Sequence, residues 1–257
     1  MFRLPVSGLQ VTIRQPVGED DLLLQESRLA HTDLALQLVA RLVDAVDGSA
    51  VQWSALSITD LEVLLLLIRR MVVGDLIEAD TYCQQGECGA RLTLSFRITD
   101  YLSRCRSRRP RNLTSDGEGW FRFQTQAIKF RLPAAADLPA LAAEQNPYRE
   151  LTRRCIQPEK IPAELRRRVL GAMAAMAPIF SGEVQGNCPE CHRPVSAYFD
   201  IPKYVLEELR ALGTRVYEDV HLLALNYQWS EKSILMLPRN RRILYAELLQ
   251  QHQAGVA

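Results

Sequence analysis

Cys83-Gln-Gln-Gly-Glu-Cys88-Gly-Ala-Arg-Leu-Thr-Leu-Ser-Phe96-Arg-Ile98-Thr-Asp-Tyr101-Leu102 and Cys188-Pro-Glu-Cys191-His-Arg-Pro-Val-Ser-Ala-Tyr-Phe199-Asp-Ile201-Pro-Lys-Tyr204-Val205 are two copies of one pattern. With Cys88 laid on Cys191 the offset is 103 residues, and Phe96 meets Phe199, Ile98 meets Ile201, Tyr101 meets Tyr204 and Leu102 meets Val205 without a gap. Behind each cysteine pair the apolar residues alternate: Leu92, Leu94, Phe96 and Ile98 in one copy, Val195, Ala197, Phe199 and Ile201 in the other. Period two is the signature of a strand with one buried face. Each copy, 75–102 and 181–206, therefore reads as a cysteine knuckle, a strand and a helix start.

A tight turn can present two thiolates, and a tetrahedral zinc site takes four. Cys83, Cys88, Cys188 and Cys191 supply that number. Cys-x2-Cys is the standard knuckle, and Cys-x4-Cys is looser but within the permitted spacing. Gly86 and Pro189 suit the turns. The bland alternative is four buried free thiols, since free Cys is commonly buried. Ordinary zinc ribbons separate their pairs by about 15–20 residues. Here some hundred residues intervene, so a shared ion would tie two halves of a domain together. A redox pair should open a helix, whereas Cys188 and Cys191 lead into a strand. A zinc deaminase needs His-x-Glu and Pro before its Cys-x-x-Cys, and position 187 is Asn187. Disulfides need an oxidising compartment. Cys105 and Cys155 read as small core or surface residues, and His192 as a bystander beside Cys191.

The composition is that of an ordinary globular protein: 257 residues, 47% hydrophobic, 24% charged, net charge +1. Near-neutrality gives no general pull toward nucleic acid or membrane. The apolar run 63–68 is too short to span a bilayer and ends at Arg69-Arg70. Residues 1–10 lack an apolar signal core, so synthesis and folding in the cytoplasm are expected.

Along the chain, Leu9, Val11 and Ile13 suggest a first strand. Leu22 to Leu24 and residues 34–45 read as helices with acidic first turns. Thr59 and Glu62 have the spacing of a capping box for a helix over 60–73, apolar nearly all round and therefore central, with Gly74 at its C-cap. Arg104, Arg106, Arg108, Arg109 and Arg111 suit a phosphate- or acid-binding loop or, more simply, a solvated one. Residues 120–132 read as two strands that could pair with the first. Helices are expected over 164–176 and 204–212. The last forty residues read as helical: Thr214 capping a helix through Asn226, Ser230 capping a turn, and Pro238 opening the last helix. Arg239, Arg241 and Arg242 oppose that helix's dipole, which suggests either that they face something acidic or, equally, that they form a solvated basic face. Trp229, between two expected helices, suits a plug packed inside the protein, as large aromatics commonly are, but Tyr227, Trp229 and Arg239 are also residue types that anchor interfaces.

The segment from His221 to Tyr245 carries His-x-Leu-Ala, Tyr-x-Trp-Ser-Glu, Ile-Leu-x-Leu-Pro and Arg-Arg-x-x-Tyr in order. With Leu4-Pro-x-x-Gly8, Gly74-Asp75, Arg131-Leu132-Pro133, Asp137-Leu138, Arg154-Cys155, Cys188-Pro-x-Cys191 and Phe199-Asp200, the chain resembles the T-even-type baseplate hub assembly protein family of myophages and related extracellular contractile injection systems. The resemblance covers nearly the whole chain through short motifs whose order carries it. It implies an assembly or structural role without catalysis, in the cytoplasm during assembly or in the finished particle, with baseplate hub or wedge proteins as partners.

The expected fold is thus α+β: a small mixed core stapled by a four-cysteine zinc site over 1–213, and a helical arm over 214–257. Partner contacts are expected at Tyr227, Trp229, Arg239, Arg241 and Arg242. Neither nucleic-acid binding nor membrane insertion is expected. The competing reading is a zinc-ribbon nucleic-acid or transcription adaptor working through the arginine-rich stretch. An enzyme is disfavoured, because a sulfur-saturated zinc keeps no open position and no P-loop, Gly-x-Ser-x-Gly or dinucleotide fingerprint is present.

Overall fold

A computed structural model of the chain describes residues 1–104, 106–124 and 128–256; Cys105 lies outside them. The architecture is α+β, with small antiparallel sheets set around a helical centre. The chain opens with strands β1 (Phe2–Arg3) and β2 (Gln10–Ile13), then helices α1 (Gly18–Glu26) and α2 (His31–Leu42). The helical pattern read over 34–45 stops at Leu42. The last three residues form β3 (Val43–Ala45), which pairs with β2 through Val11↔Ala45.

Helix α3 (Ile58–Val72) is the centre of the main core. Leu61, Leu64, Leu65, Leu66 and Ile68 are fully buried, as a helix apolar all round requires. Its cap differs from the expected one. Ser57 is the N-cap, its Oγ accepting the Asp60 N–H at 3.1 Å. Thr59 and Glu62 are drawn elsewhere. Thr59 donates its hydroxyl to the Pro178 carbonyl, and Glu62 accepts the N–H groups of Phe180 and Ser181 at 2.8 and 3.2 Å. Asp60 likewise accepts from Val6 and Ser7. The polar first turn of α3 thus satisfies buried backbone of two distant segments, which would otherwise be costly to bury. Gly74 closes the helix at φ 116°, a backbone setting that favours glycine.

The chain then builds the first hairpin, β4 (Leu76–Tyr82) and β5 (Arg91–Arg97), and a short helix α4 (Ile98–Arg104). A separate module follows. Strands β6 (Leu113–Ser115), β7 (Trp120–Phe123) and β8 (Lys129–Arg131), helices α5 (Leu138–Ala143) and α6 (Pro147–Cys155), strand β9 (Ile156–Gln157) and helix α7 (Ala163–Met176) enclose their own core around Phe130, Ile156, Val169 and Met173. The sheet order is β6-β7-β8-β9. The two strands read over 120–132 are therefore present, but they pair with β6 and β9 and not with the first strand, because α6 brings Ile156 alongside Phe130.

The second hairpin is β10 (Gly182–Asn187) with β11 (Pro194–Phe199), followed by α8 (Ile201–Gly213). Helix α8 packs on α1, α2 and α3, and Arg69 of α3 donates from Nε and Nη2 to the two carboxylate oxygens of Glu208. Helices α9 (Val216–Tyr227), α10 (Glu231–Leu235) and α11 (Arg239–Val256) complete the chain. Ser230 caps α10, accepting the Ser233 N–H. Thr214 does not cap α9, since its hydroxyl donates back to the Ala211 carbonyl of α8.

These last helices form the helical C-terminal region and are tied back to α1 through buried charge. Asp21 of α1 is fully buried and accepts Arg239 Nε at 2.9 Å and Arg242 at 2.6 Å; Arg242 Nε also reaches Asp219 at 3.0 Å. The acidic group expected opposite Arg239 and Arg242 is thus supplied by the chain itself. Their buried guanidinium groups are not available to a partner, whereas Arg241 remains exposed. Gly18 marks the closeness of this contact: a Cβ there would stand 2.8 Å from Arg242 and from Leu235.

Candidate metal centre

The two hairpins build matching knuckles. In the first, the Cys83 N–H donates to the Ala90 carbonyl at 2.8 Å; in the second, the Cys188 N–H donates to Arg193 at 2.9 Å. Each bond runs from the first cysteine to the residue two beyond the second one. The residue immediately after that second cysteine is left-handed in both copies, Gly89 at φ 52° and His192 at φ 56°. His is one of the few non-glycine types enriched at positive φ. The exposed His192 therefore occupies a turn position and stands outside the sulfur cluster, as a bystander should. The two extra residues of the first knuckle are absorbed in its loop, with Gly86 at φ 34° and the Cys88 N–H bonded to the Gln85 carbonyl.

Strand register carries the repeat into the core. Phe96 and Phe199 meet edge to face at 5.3 Å between ring centres, and each packs on the tyrosine of its own copy, Tyr101 at 4.9 Å and Tyr204 at 5.1 Å. Each tyrosine hydroxyl crosses to the other copy's side: Tyr204 donates to the Glu78 carbonyl at 3.1 Å, and Tyr101 donates to that of Phe180. The hairpins are thus clamped together by paired aromatics near α3, and their tips meet about the cysteines. Leu92 and Val195, equivalent positions in the repeat, flank the cluster.

The four sulfurs of Cys83, Cys88, Cys188 and Cys191 all lie within 4.8 Å of one another. Contacts between knuckles measure 3.7 Å for Cys83–Cys191 and 3.8 Å for Cys88–Cys188. A tetrahedral ion with metal–sulfur bonds of about 2.3 Å would have sulfur–sulfur edges of roughly 3.8 Å. The observed spacing fits that polyhedron. It is too long for disulfides, whose sulfurs are bonded at about 2.0 Å. Backbone N–H groups point at the sulfurs. Cys188 receives those of Cys191 and Glu190, which pull its thiol down to about 7. Cys83 receives that of Gln85, but burial and the neighbouring thiols push it up to about 12. A cluster in which one thiol ionises readily and another resists it is what four crowded sulfurs give before a cation neutralises them.

Elsewhere the expected sites fall as follows. Cys155 is buried in the second core, where burial pushes its thiol up to about 11 and leaves it inert. The arginine-rich stretch is partly tied down: Arg108 donates its N–H to Ala175, Ser107 bonds Met176, and Arg109 lies over the Phe121 ring at 5.3 Å. Tyr227 and Trp229 stack at 5.0 Å, and Tyr245 of α11 closes on Trp229 edge-on at 5.5 Å. Tyr227 and Trp229 remain 39% and 37% exposed, so the cluster is neither a buried plug nor a free surface. Tyr245 was foreshadowed only as the last residue of the Arg-Arg-x-x-Tyr motif. Nothing local named Asp21 and Asp219 as the acidic partners of Arg239 and Arg242. Among the described residues, no helix is long and apolar enough to cross a membrane. In comparisons with known proteins, no family model, no curated protein and no solved structure matches the chain.

Proposed function

We propose that this protein is a non-catalytic subunit of a contractile-tail or injection-system baseplate, serving its assembly or its structure through protein–protein contacts. Its two hairpins are stapled by a zinc ion on Cys83, Cys88, Cys188 and Cys191. Four thiolates in a tetrahedron suit zinc, and they leave no position for a reacting water. The role of the ion is then to hold together two hairpins separated by the intervening module.

The observation that carries the assembly reading is the half-exposed aromatic cluster of Tyr227, Trp229 and Tyr245. It lies in the segment whose motifs resemble the baseplate family, and it shares packed helices α9 and α11 with the exposed Leu225 and Leu244. Aromatic and aliphatic surface of this kind marks contact sites. Arg241, exposed at the start of α11, supplies a polar rim.

The test is incorporation. Trp229→Ala and Tyr227→Ala are made in the intact chain, which is co-expressed with the tail genes of its source. Baseplate intermediates are then separated by sedimentation and identified by mass spectrometry. The expected result is loss of incorporation with an unchanged melting transition. Undiminished incorporation of both variants, or absence of the wild-type chain from every intermediate, would overturn the reading.

A further inference from the structure

The near-zero net charge conceals a division. Residues 101–180, between the hairpin copies, hold 15 Lys and Arg against 7 Asp and Glu, a net of +8; the rest of the chain holds 16 against 23, a net of −7. Much of the module's positive charge is spent internally. Arg131 pairs with Asp137, Arg153 and Arg154 pair with Glu150, and Arg168 lies over the Phe123 ring. Arg166 and Arg167, like Arg106, Arg111, Arg149 and Lys160, form no ion pair among the described residues, and Arg166 is set apart from these by a buried Nε without a hydrogen-bond partner.

An apolar groove of about 350 Å³ lies between α6 and α7; the two arginines are not part of its lining but precede it on α7 by about one helical turn. Its walls include Tyr148 and Leu151 of α6, Leu170, Met173 and Ala174 of α7, and Ile179 beyond it. Tyr148 and Ile179 are 58% and 61% exposed, an unusual placement for side chains of that size. Thr59 lines the groove too, but its hydroxyl is already committed to Pro178. Arg166 precedes Leu170 by four residues and Met173 by seven; Arg167 precedes Leu170 by three and Ala174 by seven. Both therefore continue the groove-facing stripe of α7 by one turn toward its N-terminus. From Leu170 to Ala177 the groove spans roughly 10 Å of helix, two turns.

We propose that this groove docks an acidic amphipathic helix of a protein partner. Apolar side chains at three- and four-residue spacing enter between α6 and α7, and a carboxylate one turn beyond them meets Arg166 and Arg167. The lining favours this occupant over nucleic acid. Strands of nucleic acid need stacking planes and a track of cations along the backbone, whereas here the wall is mostly aliphatic, with Tyr148 as the one aromatic ring among its lining residues, and no Lys or Arg lines it. The surface lies on the module and not on the α9–α11 cluster, so it stands or falls independently of the baseplate reading.

The test uses the full chain and three fluorescein-labelled probes at physiological salt: a designed helical peptide with Leu at helix spacing and Glu elsewhere, the same peptide with Lys for Glu, and a short DNA duplex. Fluorescence anisotropy should show the acidic peptide binding with Kd on the order of 10 µM, and the other two much more weakly. Ala174→Glu, which puts a charge in the groove from an exposed position, should abolish binding. Arg167→Glu should weaken the acidic peptide about tenfold and strengthen the Lys peptide, a reversal that a merely structural role would not produce. Melting curves run in parallel establish that both variants fold. Equal binding of the two peptides, tighter binding of the duplex, or no binding of the acidic peptide at about ten times that concentration would overturn the proposal.

Discussion

Replacing Arg242 by Met removes one of the two guanidinium groups that neutralise Asp21 and Asp219. Arg242 is 1% exposed and donates to Asp21 Oδ2 at 2.6 Å and to Asp219 Oδ2 at 3.0 Å. Asp21 would keep Arg239, but Asp219, 3% exposed, has no other ion pair to fall back on among the described residues. Methionine fills much of the same volume, so the loss is chiefly electrostatic. Breaking a buried pair from one side costs about 3–5 kcal/mol, because the remaining charge is left without compensation. At about 2–4 °C per kcal/mol for a chain of this size, the melting temperature should fall by roughly 6–20 °C. Urea titration followed by circular dichroism measures the change directly. The double variant Asp219→Asn with Arg242→Met removes the orphaned charge as well, and should be more stable than additivity predicts by about 1–3 kcal/mol. A loss below about 1 kcal/mol, the range of an exposed ion pair, would refute the reasoning. The same network predicts that deleting the chain from Asp219 onward collapses the fold, since both cations facing Asp21 go with it. Truncation therefore cannot test partner binding here, and point variants of exposed aromatics are needed.

Purified protein should carry one equivalent of zinc by elemental analysis, and Cys191→Ser should lose metal and melting temperature together, since structural zinc contributes on the order of 10 kcal/mol in small peptides; well-folded protein without metal, or with iron, would sink that assignment. The second further expectation concerns Glu62. Burial pushes its carboxyl above the ordinary glutamate value, against the lowering effect of the Phe180 and Ser181 N–H groups. A folded pKa above the unfolded one means that its contribution is complete below the ordinary glutamate pKa and is lost as pH rises through the raised value. Glu62→Gln cannot ionise, so the stability advantage of wild type over the variant, read by denaturant titration at several pH values, should shrink as pH rises across that window. An advantage that grows with pH would show that the two backbone donors outweigh burial.

The features that could be read from the residues alone are local or periodic. The repeat of knuckle, strand and helix start was legible because cysteine spacing and period-two alternation are written within some twenty residues. The central position of α3 followed from its all-round apolar pattern, and the Ser230 cap from a hydroxyl just ahead of a short helix. Pairing a cysteine knuckle with its distant copy was also within reach, because four thiols have few other uses in such a pattern. Which charge meets which was fixed by packing between distant segments. Arg239 and Arg242 announced an acidic counterpart through their unfavourable place at a helix start, yet Asp21 lies 218 and 221 residues away along the chain. Its own position in the first turn of α1 had an adequate local explanation. The capping spacing of Thr59 and Glu62 misled for the same reason: backbone N–H groups from residues 180 and 181 competed for the carboxylate and won. Helix and strand propensities arise from neighbours a few residues apart, so a sequence displays them. The partner of a buried polar group is whichever group the folded backbone delivers within hydrogen-bond reach, and that is settled only when the distant segments have packed.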